Sequence, residues 1–361
     1  MPATSLPIPA RGRGARSNIS SRFEGQVREG FDDGWTLEDP QPAQIRTTLS
    51  EEVARTIITR NDSPDIGFDR SINPYRGCEH GCIYCYARPA HAYMGLSPGL
   101  DFETRLFFKP NAAELLSREL SNPRYKVGVI HIGGNTDPYQ PQEKATQVTR
   151  RIIEVLAKFQ HPFSIITKSG LIERDLDLLA PMAARGLARV AISITTLDRK
   201  LARSMEPRAA APERRMAAVR SLAGAGVPTM VMFAPVIPGL NDHELEAVLE
   251  ASARAGARSA GYVALRLPRE IAALFQEWLA TDHPDRADRV MSLVRQMRGG
   301  KDYDADWKTR LKGEGPIAEI LARRFAMARK RYGLDQPQPG LRTDLFARPG
   351  MPGDQGDLFG P

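Results

Sequence analysis

Six short, nearly continuous apolar runs punctuate the middle of this chain, and stretches with helical periodicity separate them. The runs cover residues 68–75, 127–132, 163–168, 189–195, 229–234 and 260–266. Continuous apolar character, rather than strict alternation, is what a strand buried on both faces requires. Between the runs, Val148, Ile152, Val155 and Phe159 recur at helical spacing. So do Met216, Val219 and Leu222, in a segment opened by Pro212 and closed near Gly224, as first-turn prolines and terminal glycines mark helix ends. Asn241 is placed to cap another helix, carrying Leu245, Val248 and Leu249, with Gly256 after it. Parallel strands joined by helices must cross over right-handed. The expected fold is therefore α/β: a partial (β/α)6 parallel barrel.

Outside this core the sequence changes character. Residues 1–45 are Arg-rich, Pro/Gly-punctuated and aperiodic, and read as a disordered basic extension. The barrel is assigned to 46–268. Helical patterns alone follow, over about 270–280, 283–298 and 316–331, so 269–335 reads as a C-terminal helical segment. Residues 336–361 read as a flexible tail. A hydrophobic share of 42% can fill a sizeable core, and no apolar run is long enough to span a bilayer. Residues 1–16 lack the apolar stretch of a secretory signal, so a cytoplasmic location is expected. The formal net charge of +7 suits a phosphate backbone as partner, but an Arg-, Ala- and Gly-rich composition alone produces the same surplus.

The chain has three cysteines, Cys78, Cys82 and Cys85, all within eight residues. That is no disulfide framework; it is a metal site in a reducing compartment. Three thiolates can ligate three irons of a cubane and leave the fourth iron open, with Gly77 and Gly81 allowing the loop to turn sharply. The competing assignment is a Cys3His zinc site, with His80 or His91 as fourth ligand. Position decides between them. The motif follows the first strand of a βα series, which puts it at the strand C-terminal face where barrel active sites form.

The C-x3-C-x2-C spacing, with the aromatic Tyr84 just before the third cysteine, resembles the signature of the radical S-adenosylmethionine superfamily. The wider stretch 73–88 is similar to its spore photoproduct lyase-like branch, also called DNA repair photolyase-like, and the resemblance extends over roughly residues 50–270. It implies a [4Fe–4S] cluster that binds S-adenosyl-L-methionine through its amino and carboxylate groups. One electron, from a donor such as flavodoxin or ferredoxin, then cleaves the cofactor to methionine and a 5′-deoxyadenosyl radical.

Cofactor contacts are expected at the strand ends. Gly133, Gly134, Asn135 and Asp137 resemble the family's Gly-Gly-Glu-type motif, with Asn in place of Glu, and would meet the methionine amino group. Lys168, ending the third run, suits the methionine carboxylate, and the resemblance pairs it with Ser193 on the next strand. Thr195 shares the Ser193 face. Arg208 would neutralise the carboxylate, with Glu206 holding the ribose or orienting Arg208. Ile237 would pack against adenine. Each also has an ordinary structural explanation: a βα turn, a solvated strand end, a local ion pair.

The resemblance breaks at one point. Spore photoproduct lyase returns hydrogen through a fourth cysteine, and none exists here. Tyr93 and Tyr139 are the catalytic candidates in its place, among Tyr75, Tyr86 and Tyr262 near strand ends or the cysteine loop. Three functions stand side by side: radical chemistry on a nucleic acid or nucleoside; radical modification of a small molecule, peptide or protein; and a non-enzymatic zinc-binding interaction module. A last motif, Gln355, Asp357, Leu358 and Phe359, resembles the pentapeptide that binds the bacterial DNA sliding clamp, with Gly356 departing from the usual Leu. Asp344, Leu345 and Phe346 form a weaker copy.

Overall fold

The computed structural model describes residues 12–25, 45–338 and 340–349. Six parallel strands form one sheet: β1 (Arg70–Ile72), β2 (Ile130–Ile132), β3 (Phe163–Thr167), β4 (Ala188–Ser193), β5 (Thr229–Val236) and β6 (Ser259–Ala264). They pair in chain order from β1 to β6. A short antiparallel strand, Ile58–Arg60, covers the free edge of β1. The far edge is partly shielded by the Ser259–Asp335 bridge and by the bond from the Ala264 amide to the Leu311 carbonyl, which limits pairing with another chain there. The result is an open, partial (β/α)6 barrel.

Each strand corresponds to one of the apolar runs, with ends shifted by a few residues; β5 runs two residues longer than its run, to Val236. The first run is split: after β1 the chain turns at Asn73–Pro74, and Tyr75–Arg76 joins a separate small sheet with Arg105–Phe108 and Thr48–Glu51. The helices fall where periodicity placed them. Val148–Lys158 buries Ile152, Ile153 and Leu156 against the sheet, and Pro212–Gly224 buries Met216, Val219 and Leu222. Asn241 differs from expectation. It stands at the head of the turn that leads into the helix Leu245–Arg254, but its side chain makes no capping bond; its amide nitrogen donates to the Thr195 and Pro235 carbonyls, at 2.8 and 3.0 Å, and its oxygen accepts from the Ile237 amide at 2.6 Å. It staples the loop after β5 to the end of β4.

After β6 come Ile271–Asp282, Ala287–Gln296 and Gly315–Arg331. They are more than a cap. Phe275, Trp278 and Val290 form a second apolar core with Ile83, Tyr84, Ile237 and Leu240, so the first two helices brace the cysteine loop, while Leu321 and Phe325 of the third join the main core.

Both ends also differ from expectation. Residues 12–25, read as disordered, lie against the barrel with Arg13, Ala15 and Ser21 buried. Polar anchors hold them rather than an apolar stripe: Asn18 exchanges hydrogen bonds with Asp101, and Ser17 donates to Glu277 at 2.7 Å. Within the supposed tail, Phe346 packs on Phe159, Tyr125 and His161.

Candidate active site

All six strands point their C-terminal ends at one face, and the cysteine loop crosses it. Gly77 and Gly81 take φ of +74° and +67°, and a Cβ at Gly81 would meet Glu103 at 2.5 Å. Arg88, fully buried, reaches back to the carbonyls of Gly81 and Cys82, at 3.1 and 2.9 Å, and to Glu103 at 2.5 Å. One guanidinium thus fixes the shape of the loop.

The loop presents three free thiols, Cys78 and Cys82 buried and Cys85 half-buried. Burial is the largest influence on all three and pushes each upward. Lys168 opposes it at Cys82 and Cys85. Ligating thiols must be deprotonated, so such a buried trio suits a cationic metal group that offsets their charge. Of the alternative fourth ligands, one is hydrogen-bonded elsewhere and the other faces a carboxylate with its Nδ1 left without a hydrogen bond. His91 bonds the Arg105 carbonyl through Nε2 at 3.0 Å, and burial holds it down at about 4. His80 faces Asp137, Nδ1 to Oδ2 at 3.4 Å. Among the described residues no three His, Cys, Asp or Glu side chains converge on a single ion.

Around the loop the strand ends assemble a polar group. The Lys168 ammonium donates to Ser193 Oγ at 2.7 Å and lies 5.8 Å from the Tyr84 ring centre. Burial holds the ammonium below its ordinary range, while Cys82 favours its charge. Asp137 is a cross-brace: it accepts from the Thr167 hydroxyl at 2.6 Å and the Lys168 amide at 2.7 Å. Burial pushes its carboxyl up, but His80 and these donors prevail and hold it at about 2. Gly133 has φ +98°, and a Cβ there would strike the Ile166 carbonyl at 2.8 Å. Gly134 has room around it, and Asn135 is exposed.

Glu206 is buried and accepts from Tyr84, from Thr195 at 2.6 Å and from Arg215. Its partner is therefore Arg215, not Arg208. Burial raises the Glu206 carboxyl and Arg215 opposes the rise. Arg208 turns to Glu79 at 2.5 Å, while its amide donates to the His80 carbonyl. Ile237 is fully buried beside Tyr84 and Leu240.

The two tyrosines singled out lie apart from this group. Tyr139 is sealed in the core and donates to Asp175 at 3.0 Å. Tyr93 is on the outer surface against Phe23 and Arg22. Tyr86, next to Cys85, is half-exposed; its hydroxyl donates to the Gly134 carbonyl, and the Arg266 guanidinium lies 5.1 Å from its ring centre. Sequence reasoning passed over Arg215. Its trace is a charge beside Met216 on the stripe that buries Val219 and Leu222.

The sequence model of the Radical SAM superfamily matches residues 72–251, the span from β1 to the helix after β5. An uncharacterized protein of Mycobacterium tuberculosis is 38% identical over 252 residues, 69% of this chain and 74% of that one. The chain belongs to the radical SAM superfamily. It is accordingly an enzyme of radical chemistry, and the non-enzymatic zinc module is set aside. An uncharacterized protein of Methanocaldococcus jannaschii is 30% identical over 173 residues, 48% of this radical SAM chain and 62% of its own. Among solved structures, spore photoproduct lyase complexed with dinucleoside spore photoproduct shares the fold of this radical SAM enzyme. The TM-score is 0.52 at 17% identity, covering 82% of this chain and 85% of that one.

Proposed function

We propose that Cys78, Cys82 and Cys85 hold a [4Fe–4S] cluster and that the enzyme uses it to act on a nucleic acid or nucleoside, in repair or modification. The observation that carries the chemistry is the Lys168–Ser193 pair beside three thiols, two buried and one half-buried, at the strand C-terminal face. When bound, the cluster and S-adenosyl-L-methionine supply an electron and a 5′-deoxyadenosyl radical. The chain binds, orients and shields. Lys168 meets the methionine carboxylate and Ser193 holds the ammonium toward it. Gly134 leaves space for the methionine amino group, with Asn135 beside it. Thr195 and Glu206 form the polar wall, locked by Tyr84 and Arg215, and Ile237 supplies the apolar one. Arg208 acts at one remove, fixing the cysteine loop through Glu79 and the His80 carbonyl.

Tyr86 replaces Tyr93 and Tyr139 as the proposed hydrogen donor, because it adjoins Cys85 and is half-exposed. The nucleic-acid substrate is favoured by the positive charge and by the fold shared with a lyase whose structures hold AdoMet and dinucleoside spore photoproduct. With no fourth cysteine, thiol-dependent repair is not the reaction. A cytoplasmic location and an electron donor such as flavodoxin or ferredoxin belong to the same proposal. So does sliding-clamp docking through Gln355 to Phe359, which lie outside the described residues. Leu345 and Phe346 are committed to the fold, so a pulldown should depend on the terminal motif alone.

The deciding experiment is anaerobic reduction with S-adenosyl-L-methionine, following 5′-deoxyadenosine. The intact enzyme should be brown and form it. Cys78→Ala, Cys82→Ala and Cys85→Ala should each lose iron and product. A single variant that keeps full iron content removes that cysteine from the ligand set.

A further inference from the structure

The ordered segment 12–25 does more than cover the cysteine loop. Together with the helix Arg199–Met205 it walls a cleft of about 610 Å³ lined by Arg13, Arg16, Arg203 and Arg208, with Ser204 at its side and no acidic residue in the lining. A second cleft of about 400 Å³ shares Arg203 and continues past Lys200 to Arg199, with Glu206, already paired with Arg215, the one acidic residue in its lining. Six cations thus line one continuous strip.

Their charges are only partly answered. Glu79 serves both Arg208, at 2.5 Å, and Arg13, at 4.0 Å; Arg16 pairs with Asp282, and Arg199 with Glu213 at 3.3 Å. Arg203 is exposed, and no side-chain partner faces it among the described residues. Arg13 is 3% exposed; its terminal nitrogens bond the Glu103 and Ile45 carbonyls and Thr47, but its Nε is buried without an acceptor. The Nε of Arg16 is in the same condition. A buried guanidinium nitrogen without a partner is costly, and an anion entering the cleft would relieve it. Burial and then Arg208 hold the Arg13 guanidinium below its ordinary range, the mark of crowded cations.

We infer that this strip is a phosphate-binding track that seats the backbone of a polynucleotide beside the cysteine loop. The assignment rests on the nucleic-acid reading above and names where that substrate is gripped. The chemistry is that of phosphodiester oxygens: arginine forks match them, and each phosphate neutralised releases counterions. Two connected clefts and six cations exceed what one free phosphate needs. The track adjoins the site directly, because the Ile83 amide donates to the Met205 carbonyl at 3.0 Å and the Arg208 amide to His80 at 3.2 Å.

The test is anisotropy of a labelled single-stranded oligonucleotide on the anaerobically purified full chain, over a series of salt concentrations, with inorganic pyrophosphate as second ligand. Arg203→Glu is compared with Arg151→Glu, an equal charge change at an exposed position elsewhere. Arg203→Glu should weaken oligonucleotide binding about tenfold or more and flatten the salt slope by about one. Arg151→Glu should bind like the parent. If both variants bind like the parent, the track is wrong while the nucleic-acid reading stands. If both weaken equally, overall charge alone is at work and the track falls. If the parent binds pyrophosphate but no oligonucleotide, the cleft is a free-anion site and both readings fall. If it binds neither, both fall as well.

Discussion

Arg215 and Glu206 form a pair with almost no solvent contact, their side chains 2% and 0% exposed. Taking one partner from such a pair strands a buried charge, at a cost of about 3–5 kcal/mol. Arg215→Met should therefore lower the denaturant midpoint sharply, and adding Glu206→Gln should restore much of the loss. A double variant no better than the single would show that Arg215 acts through its bonds to the Ser193 and Ala210 carbonyls instead. Lys168 calls for a different measurement. Its ammonium is held by Ser193 Oγ, and Cys82 does more than the Asp137 carboxylate to favour its charge. Lys168→Ala should keep its iron but bind S-adenosyl-L-methionine about tenfold or more weakly, since a charge-assisted bond contributes roughly 1.5–3 kcal/mol. Titration of the reconstituted enzyme decides it, and unchanged affinity removes Lys168 from the site.

At the scale of elements, the turn between the helix Val148–Lys158 and β3 depends on His161. Its Nδ1 donates to the Pro162 carbonyl at 3.0 Å, its Nε2 accepts from Tyr125 at 2.9 Å, and Phe346 closes over it edge-on. Burial, aided by Arg70, holds this imidazole down at about 4, against roughly 6.5 in an unfolded chain. The unfolded state therefore takes up the proton first as pH falls. The stability contributed by the neutral ring is complete above pH 6.5 and disappears progressively down to 4. Its ceiling is about 3 kcal/mol at about 1.4 kcal/mol per unit. Thermal unfolding of His161→Gln should show a shallower fall between pH 7 and pH 4.5 than the parent. Parallel curves would mean that His91 and His131, also held down at about 4 by burial, carry the effect.

Across the whole molecule, Glu103 joins parts that are distant in sequence. Its buried carboxylate accepts from the amides of Gly14 and Ala15, at 2.9 and 2.8 Å, and from Arg88. The N-terminal segment, the cysteine loop and the C-terminal helices meet through it and through the Arg16–Asp282 pair. A Cβ at Gly14 would lie 1.8 Å from the Gly81 carbonyl oxygen, so the segment is in direct backbone contact with the loop. Glu103→Gln should free the segment, and limited trypsin digestion should cut after Arg13 and Arg16 several-fold faster. An unchanged rate would place the hold in Asp282 and Asp101 instead.

The sequence by itself determined the barrel and the cysteines. Buried parallel strands demand continuous apolar runs, and ligand spacing within one loop is a local property, so both are written in contiguous residues. Pro212–Gly224 was legible because a proline, a stripe and a glycine mark it end to end. The Lys168–Ser193 pair was legible only through family resemblance, because its partners sit on different strands. Only the tertiary structure decided that Glu206 takes Arg215, that Arg208 takes Glu79, that Tyr139 is sealed and that Asn241 is a staple. Most of those partners are remote in sequence, and even Glu206 and Arg215, nine residues apart, meet only because the helix Pro212–Gly224 packs over the end of β4. Segment 12–25 escaped the sequence for a related reason. Charged and polar anchors leave no periodicity, and their acceptors, Glu103, Asp282 and Asp101, lie more than eighty residues away.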